Sequence, residues 1–380
     1  MKVNICIVAA LALVVCALAV DATSSQKKKQ VIIDTDANTD DAIAILWLLK
    51  RTDIDIKAIT VVGTGWASLS SGLTNIFNML AFMGRNDIPV TWGGGYALYD
   101  IKHNIYGCTY AKTIPNAPGG RQWADTLVGL AHCFPKAGPG RYYNPNAPGA
   151  VDLMVQVLNS TRDKVDILAL GPATNVADLL SAHPWAKVRI GRVVFSGGAV
   201  YVGGNIFTNV PNTYAEYNAL GDPDALAAVA TSGVSLVLVP LDATGQLIVN
   251  QTYLDRLGVN QYTSEAAWVY SLLRTLQTQM GSVFNTYSLW DPYAAAVLVD
   301  QSRYADTVNK IKITVVTQDL NASEVGRTKP DSRNGSSVSV VLRPDDVVFD
   351  DLIYYLALED NSSPSPRCTE SANGGWYAWN

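Results

Sequence analysis

The chain has 380 residues, of which 48% are hydrophobic and 16% are charged, and this composition excludes disordered and collagen-like proteins. Acidic residues outnumber basic ones by 33 to 28, giving a formal net charge of −5, so a nucleic-acid backbone is not an expected partner. The chain has three histidines and five cysteines without a Cys-x-x-Cys pair, which excludes a disulfide scaffold and argues against a zinc site.

The N-terminal segment is typical of a secretory signal peptide. Lys2 precedes an apolar run over residues 5–20, which contains the small residues Ala17 and Ala19 in a pattern that signal peptidase favours. This run is shorter than the ~20 apolar residues that span a bilayer. We therefore expect removal of residues 1–19, secretion of the rest and no membrane partner. Five Asn-x-Ser/Thr sequons also fit a secreted chain: Asn159, Asn250, Asn321, Asn334 and Asn361.

Cysteine usage is compatible with an oxidising compartment. Loss of the signal peptide removes Cys6 and Cys16 and leaves Cys108, Cys133 and Cys368. An odd number predicts one disulfide and one free thiol, and the choice of pairing stays open.

Apolar strand patterns and helix patterns alternate along the chain. Strand patterns without strict polar alternation lie at residues 31–33, 56–62, 165–170, 193–195 and 236–240, and helix patterns lie at 42–49, 73–83 and 176–180. Such strands, separated by helices, are typical of parallel sheets that are covered on both faces. The sequence therefore predicts an α/β fold. We expect a Rossmann-like, doubly wound, mostly parallel sheet with helices on both faces, in a single domain over residues 20–380.

Two regions depart from this alternation. Residues 92–143 are rich in Gly, Pro, Tyr and Asn and have little apolar periodicity. This composition predicts a long loop region of the kind that forms a lid or a binding site. Residues 362–380 have the same character, and we expect them to form a peripheral tail.

The segment DTDANTDD, residues 34–41, places four carboxylates within eight residues, where the first strand ends and a helix begins. Open α/β sheets bind their ligands at this position. Crowded carboxylates repel one another unless a cation lies among them, and hard cations such as Ca²⁺ and Mg²⁺ prefer oxygen ligands. In the simpler alternative, Asp40 and Asp41 stabilise a helix N-terminus while Asp34 caps a turn, which accounts poorly for all four.

Two known motifs with a similar start do not fit. An EF-hand loop requires Gly at position six and Glu at position twelve, where this chain has Thr39 and Ile45. Haloacid-dehalogenase-type phosphatases have Thr or Val two residues after the second aspartate, where this chain has Asn38. Their pattern also does not require Asp40 and Asp41.

The segment at 34–41 instead resembles the Asp-x-Asp-x-x-x-Asp-Asp fingerprint of the inosine-uridine nucleoside hydrolase family. Members of this family are calcium enzymes that cleave the N-glycosidic bond of ribonucleosides. Further segments resemble family motifs in the expected order: LGPATN at 170–175, GGN at 203–205 with AEYN at 215–218, DPDA at 222–225 and WDP at 290–292. Dispersed matches of this kind are far more specific than any single one.

The resemblance implies roles for individual residues. Ca²⁺ is held by Asp36, Asp41, Asp291 and the Leu170 carbonyl. The ribose is held by Asn38, Asp40, Asn205, Glu216 and Asn218. Asp36 also acts as the general base toward a calcium-bound water, which attacks on the face opposite the leaving base, as in inverting glycosidases. A homodimer or a homotetramer is a possible assembly.

The resemblance also indicates the purine-preferring branch, which cleaves inosine, adenosine and guanosine. Asn38 stands where other branches have Gly, and Trp290 stands where branches that also cleave pyrimidine nucleosides have a proton-donating His. Trp290 is expected to stack on the base, with Trp123 as the main candidate for the opposite wall and Trp66 and Trp92 as alternatives. The segment GTGW at 63–66 lacks the Asp that this branch usually has there. The signal sequence suggests a secreted animal member.

Other functions are less consistent with these residues. Phosphorolysis would need Arg, Lys or a Gly-rich helix start beside the motifs, and none is present. A secreted nucleoside-binding protein without turnover would use the same pocket but would have no need for a base at Asp36. A calcium-stabilised structural protein would give Asn205, Glu216 and Asn218 no purpose.

Overall fold

Alternating strands and helices follow one another from residue 29 onward. The computed structural model describes residues 27–67, 69–93, 148–206, 212–318, 323–358, 368–370 and 376–378. The strands of the main sheet are β1 Lys29–Thr35, β2 Ile54–Val61, β3 Val90–Trp92, β4 Val165–Ala169, β5 Ile190–Ser196, β6 Leu236–Val239, β7 Ala305–Val315, β8 Thr328–Pro330 and β9 Ser336–Pro344.

The helices fill the connections between these strands. They are α1 Thr39–Leu49, α2 Leu69–Phe82, α3 Ala150–Ser160, α4 Thr174–Ala182, α5 Tyr217–Gly221, α6 Pro223–Thr231, α7 Leu241–Thr244, α8 Gln251–Val259, α9 Ser264–Met280, α10 Trp290–Val299, α11 Gln301–Tyr304 and α12 Val347–Ala357. Short 3₁₀ helices cover Pro184–Val188 and Gly281–Thr286. No helix in the described ranges has the length and apolar content needed to cross a membrane.

The sheet has the strand order β3-β2-β1-β4-β5-β6-β9-β7-β8. Strands β1 to β6 and β9 run parallel, while β7 pairs antiparallel with both β9 and β8. The chain winds outward in one direction through β2 and β3 and in the other through β4, β5 and β6. The gap between the ends of β1 and β4 is therefore the position at which such sheets bind ligands.

Both faces of the sheet are covered. Val31 and Ile33 of β1 pack into one apolar cluster with α1, α9, α10 and α12, while Ile32 packs into a second cluster with α3, α4 and α6. Burial on both faces explains the uninterrupted apolar strands. The predicted doubly wound, mostly parallel α/β fold is confirmed.

The comparison with the sequence pattern shows two differences. The antiparallel edge formed by β7, β8 and β9 was not predicted, because β7 is largely half-exposed and lacks a continuous apolar run. Trp92, the first residue of the predicted loop region, is the last residue of β3. Residues 1–26 and 94–147, which include the signal peptide, nearly all of that loop region and Trp123, lie outside the described residues. Within the predicted tail, Cys368–Glu370 and Trp376–Ala378 form two short antiparallel strands, β10 and β11.

Candidate active site

A cavity of about 650 Å³ opens at the carboxyl ends of the parallel strands. All the predicted site residues that the structure describes line it: Asp36, Asn38, Asp40, Asp41, Leu170, Asn205, Glu216, Asn218, Trp290 and Asp291. These residues come from five separate parts of the sequence. The fold thus brings the dispersed motifs together at one site, as the resemblance required. Trp123 stays an untested candidate because it lies outside the described residues.

The connection from β1 to α1 places the first carboxylates. Ala37 adopts a left-handed backbone conformation, with φ of 58°, and its N–H donates to Thr35 Oγ1 at 3.0 Å. The chain therefore turns sharply at Asp36, and α1 begins just beyond. The Asn38 N–H donates to Asp41 Oδ2 at 3.2 Å, which satisfies a backbone group that helix starts leave unpaired. The turn directs Asp36 into the cavity, and the first turn of α1 carries Asp40 and Asp41.

Four carboxyl groups meet between two helix N-termini. Asp40, Asp41 and Asp291 each offer a carboxylate oxygen within 4.8 Å of the other two. The Asp41 carboxyl also interacts electrostatically with those of Asp36 and Asp291, and Thr35 Oγ1 donates to Asp41 Oδ1. Asp291 lies in the first turn of α10, and α10 packs against α1. The positive ends of both helices favour negative charge here, but burial disfavours it.

The buried carboxyl groups have raised pKa values. Burial and the charge of Asp40 raise the pKa of Asp41 to about 6. Burial and the charge of Asp36 raise the pKa of Asp40 to about 7. Burial likewise raises the pKa of Asp36, helped by Asp41, and the pKa of Asp291, helped by Asp40, well above the ordinary range. Without a cation, this cluster therefore holds protons that ordinary aspartates release near pH 4.

The carboxylate and carbonyl oxygens at this site fit a hard divalent cation. Asp36 Oδ1 is buried and has no hydrogen-bond partner. No Lys, Arg or His of the described ranges lines the cavity, so no such side chain neutralises the acidic cluster. Carboxylate and carbonyl oxygens are the ligands that Ca²⁺ and Mg²⁺ prefer. Leu170 O already accepts from Asn218 Nδ2 at 2.8 Å, but a carbonyl has a second lone pair available for a cation.

The raised pKa values predict how stability depends on pH in the metal-free protein. The folded chain binds these protons more tightly than the unfolded chain, in which an aspartate pKa is near 4. The stabilisation from Asp40 is therefore complete below about pH 4 and is lost as the pH rises toward about 7. We expect the melting temperature of wild type minus that of Asp40→Asn, both in chelator, to fall across this range.

Scanning calorimetry at several pH values measures this difference directly. Titrating groups far from the cluster cancel in the subtraction, whereas Asp41 and Asp291, whose pKa values are raised by the charge of Asp40, contribute to the same fall. A difference that stays constant or grows between about pH 4 and pH 7 would show that Asp40 does not bind its proton more tightly in the folded state.

The loop after β2 packs directly on Asp36. A Cβ at Gly65 would lie 2.2 Å from the Asp36 Cβ, so only glycine permits this approach. The backbone N–H of Trp66 then donates to Asp36 Oδ2 at 3.0 Å. In place of the carboxylate expected for the purine branch, the GTGW segment therefore supplies a backbone donor that orients Asp36 and a tryptophan that lines the cavity.

Three of the five predicted sugar-binding residues, Asn205, Glu216 and Asn218, are connected around the start of α5. Glu216 caps α5: its Oε1 accepts from the Asn218 N–H, and its Oε2 accepts from the N–H groups of Gly198 and Ala219. Burial raises the Glu216 pKa to about 7, opposed by these N–H groups. Asn218 Nδ2 donates to the Leu170 and Ser196 carbonyls, which leaves its Oδ1 without a partner. Asn205 Oδ1 accepts from the Tyr217 N–H at 2.9 Å.

Two aromatic pairs line the same cavity. Trp66 stacks on Tyr217 with ring centroids 4.4 Å apart, and Trp290 meets Tyr287 edge-on at 5.0 Å. The sequence motifs identified Trp290 and offered Trp66 as an alternative, but they missed the two tyrosines. Tyr217 lies inside the AEYN segment and Tyr287 lies three residues before Trp290, so proximity to recognised motifs was the available signal.

Comparison with known proteins agrees with this arrangement. The model of the family described as inosine-uridine preferring nucleoside hydrolase matches residues 31–351. Nucleoside hydrolase 3 of Arabidopsis thaliana is 35% identical over 284 residues, which cover 68% of this chain and 32% of the plant protein. The pyrimidine-specific ribonucleoside hydrolase RihA of Citrobacter koseri is 35% identical over 214 residues, which cover 56% of this chain and 60% of the bacterial protein.

A solved structure supports the fold as well. The plant nucleoside hydrolase PpNRh1 superposes with a TM-score of 0.70 at 25% sequence identity, and the match covers 87% of this chain and 99% of the plant chain. The chain spans about a third of the length of the Arabidopsis relative. The family match nevertheless extends from β1 into α12 and includes every described site residue. This chain therefore belongs to the inosine-uridine preferring nucleoside hydrolase family.

Proposed function

We propose that the protein is a purine nucleosidase, which hydrolyses inosine, adenosine and guanosine to free base and ribose with Ca²⁺ as cofactor. One observation carries this proposal: Asp36, with an unpartnered buried oxygen, lines the same cavity as the sugar-binding residues and Trp290. The cavity thus combines a general base, a sugar-binding site and an aromatic wall for the nucleobase, which together suit hydrolysis of an N-glycosidic bond.

Asp36 is the proposed general base. Its Oδ2 is held by the Trp66 N–H, while its Oδ1 has no partner and can accept a proton from water. Asp36, Asp41, Asp291 and the Leu170 carbonyl would hold the cation. When bound, the cation supplies positive charge that makes a neighbouring water more acidic and keeps Asp36 ionised at neutral pH. The water would then attack C1′ on the face opposite the leaving nucleobase, which inverts the configuration at C1′.

The remaining polar groups would bind the ribose. Asn218 Oδ1 can accept a hydrogen bond from a sugar hydroxyl, because no protein group occupies it. Asn38, Asp40, Asn205 and Glu216 also line the cavity. An oxocarbenium-like sugar carries positive charge, and a preorganised acidic environment stabilises that charge as it develops.

The leaving base needs either a proton or an equivalent stabilisation. No histidine of the described ranges lines the cavity, whereas Trp290 does. A purine can accept a proton at N7, and stacking on an aromatic face favours the resulting cation. Uracil has no N7, so this route is closed to uridine. The aromatic lining thus supports purine preference, although RihA of Citrobacter koseri is named as pyrimidine-specific.

Replacement of Trp290 by alanine should lower kcat for inosine by about 5- to 150-fold, which corresponds to a stacking contribution of about 1–3 kcal/mol in the transition state. Steady-state kinetics with inosine and with p-nitrophenyl riboside measures this loss. The second substrate has a leaving group that needs no proton, so it should lose much less activity. Trp185→Ala is the matched control, because Trp185 is 40% exposed and does not line the cavity. Equal losses on both substrates would show that Trp290 only shapes the pocket.

A nucleoside panel tests the proposed substrate class. Values of kcat/KM should be high for inosine, guanosine and adenosine and low for uridine and cytidine. Turnover of uridine at the rate of inosine would overturn the purine preference while leaving nucleoside hydrolysis in place. Stoichiometric binding of inosine without release of base would favour the non-catalytic binding protein instead.

Secretion is also part of the proposal. It is supported by the signal-like N-terminal sequence and by three sequons whose asparagines, Asn159, Asn250 and Asn334, are exposed. Expression in a eukaryotic cell should yield protein in the medium that begins near residue 20 and loses mass on treatment with N-glycosidase. Retention inside the cell with residue 1 intact would contradict this.

A further inference from the structure

The segment between β5 and Asn205 is buried at its start and becomes exposed before it reaches the cavity. It leaves β5 through Gly197 and Gly198, and the Gly197 N–H donates to the Val239 carbonyl. Further along, Tyr201 and Val202 are 63% and 45% exposed. Apolar burial fixes the segment at Val200, which is 5% exposed and packs in the core, but it contributes little at Tyr201 and Val202. Polar contacts must therefore hold the backbone from Tyr201 toward Asn205.

The Asp242 carboxylate provides that fixation. Asp242 lies in the first turn of α7 and is only 7% exposed. Its Oδ2 accepts from the Val200 N–H and its Oδ1 from the Tyr201 N–H, both at 2.8 Å. The Leu241 N–H also donates to the Gly198 carbonyl at 2.9 Å. Two consecutive N–H groups bound to one carboxylate fix both the position and the direction of the backbone.

The fixed segment leads directly to Asn205. Only Val202 and Gly203 separate Tyr201 from Gly204, whose N–H donates to the Thr213 carbonyl at 2.7 Å. The Asn205 N–H donates to the Ala215 carbonyl at 3.2 Å. Asn205 is therefore held from two sides, by the two backbone hydrogen bonds to Thr213 and Ala215 and by the Asp242 carboxylate, which binds the preceding backbone. Val202, Gly203 and Asn205 all line the cavity.

We propose that Asp242 is a positioning residue for sugar recognition, which acts by clamping the Val200 and Tyr201 amides so that Asn205 faces the ribose. This inference rests on the proposed function, because only that function assigns Asn205 to ribose binding. Asp242 does line the cavity, but both of its carboxylate oxygens are directed to backbone N–H groups. Its effect on substrate is therefore expected to pass through Asn205.

The variant Asp242→Asn tests this directly, because it keeps the shape of the side chain but turns one acceptor oxygen into a donor that faces an N–H group. We expect kcat/KM for inosine to fall about 10- to 100-fold, mainly through KM, since small misplacements of binding groups have effects of this order. In an Asn205→Ala background the same change should cost less than about threefold, because a residue that acts through Asn205 has no further effect once Asn205 is truncated.

Asp331→Asn is the matched control. Asp331 Oδ1 also accepts two backbone N–H groups, from Arg333 and Asn334, but it lies in a turn away from the cavity. Its replacement should leave kcat/KM unchanged. Hydrogen exchange of residues 198–206 gives a readout that does not depend on turnover, and exchange there should quicken in the Asp242 variant. Asp242→Glu serves if the amide variant does not fold.

The possible results distinguish failure of the positioning role of Asp242 from failure of the proposed function. Equal losses from Asp242→Asn in the wild-type and Asn205→Ala backgrounds, or unchanged exchange at residues 198–206, would overturn the positioning role. If the wild-type protein hydrolysed no nucleoside, the proposed function would fail, and the exchange measurement would still decide whether Asp242 fixes the loop.

Discussion

Asp36→Asn is expected to lower kcat for inosine by about 10²–10⁴, the usual scale for the loss of a general base. The amide preserves the shape of the side chain and can still accept from the Trp66 N–H, which in the wild type binds Asp36 Oδ2 at 3.0 Å. It cannot take a proton from water, so the chemical step fails while the pocket persists. Nucleoside affinity, measured by titration calorimetry, should stay within about threefold of wild type.

The control for this variant is Asp255→Asn, since Asp255 is exposed on α8 and distant in sequence from the motifs. It should keep wild-type kinetics. An Asp36→Asn protein that retains kcat within about threefold would fall far short of the loss of a base. Asp36 would then be only a cation ligand, and the base would have to be another group of the cavity.

Removal of the cation should abolish activity and lower the melting temperature. Asp36, Asp40, Asp41 and Asp291 are all buried, and no basic side chain of the described ranges lines their cavity, so the ionised cluster requires a cation. A ligand bound only by the native state stabilises it by about 2.7 kcal/mol at 100 times its Kd. Dialysis against chelator followed by activity assay and calorimetry measures both effects, and added Ca²⁺ should restore them.

Asp291→Asn should weaken this calcium response, because it removes one carboxylate that helps form the cluster. The exposed Asp255→Asn again serves as control and should respond like wild type. Full activity in a preparation shown by elemental analysis to contain no metal would refute the requirement. A response to Mg²⁺ but not to Ca²⁺ would contradict the proposed identity of the ion.

The position of the first acidic residues at the edge of the sheet could be predicted from the sequence, for a physical reason. Residues 31–33 form an uninterrupted apolar run, and the carboxylates follow within a few residues, so local order alone places Asp36 and Asp41 at the carboxyl edge of a parallel sheet. Asn38, Asp40 and Trp290 lie within recognisable motifs. Their meeting in one cavity depends on the strand order, in which β1 pairs with β4, and the sequence alone did not predict that order.

Other parts of the site depend on contacts that a linear pattern does not contain. Trp66 stacks on Tyr217 across a large sequence separation, and neither residue has periodicity that signals the other. Asp242 binds backbone N–H groups, and every non-proline residue carries such a group, so the sequence contains no mark of the pairing. The antiparallel edge was missed for a related reason, because half-exposed strands such as β7 lack a continuous apolar run.

The most direct test of the central claim is a product analysis of inosine incubated with the purified, calcium-loaded protein in phosphate-free buffer. Hypoxanthine is quantified by chromatography and free ribose by a reducing-sugar assay. Hydrolysis predicts that both appear in equal amounts, without any need for phosphate. No release of base, or release only with phosphate and with ribose 1-phosphate as the sugar product, would contradict the assignment of this cavity to nucleoside hydrolysis.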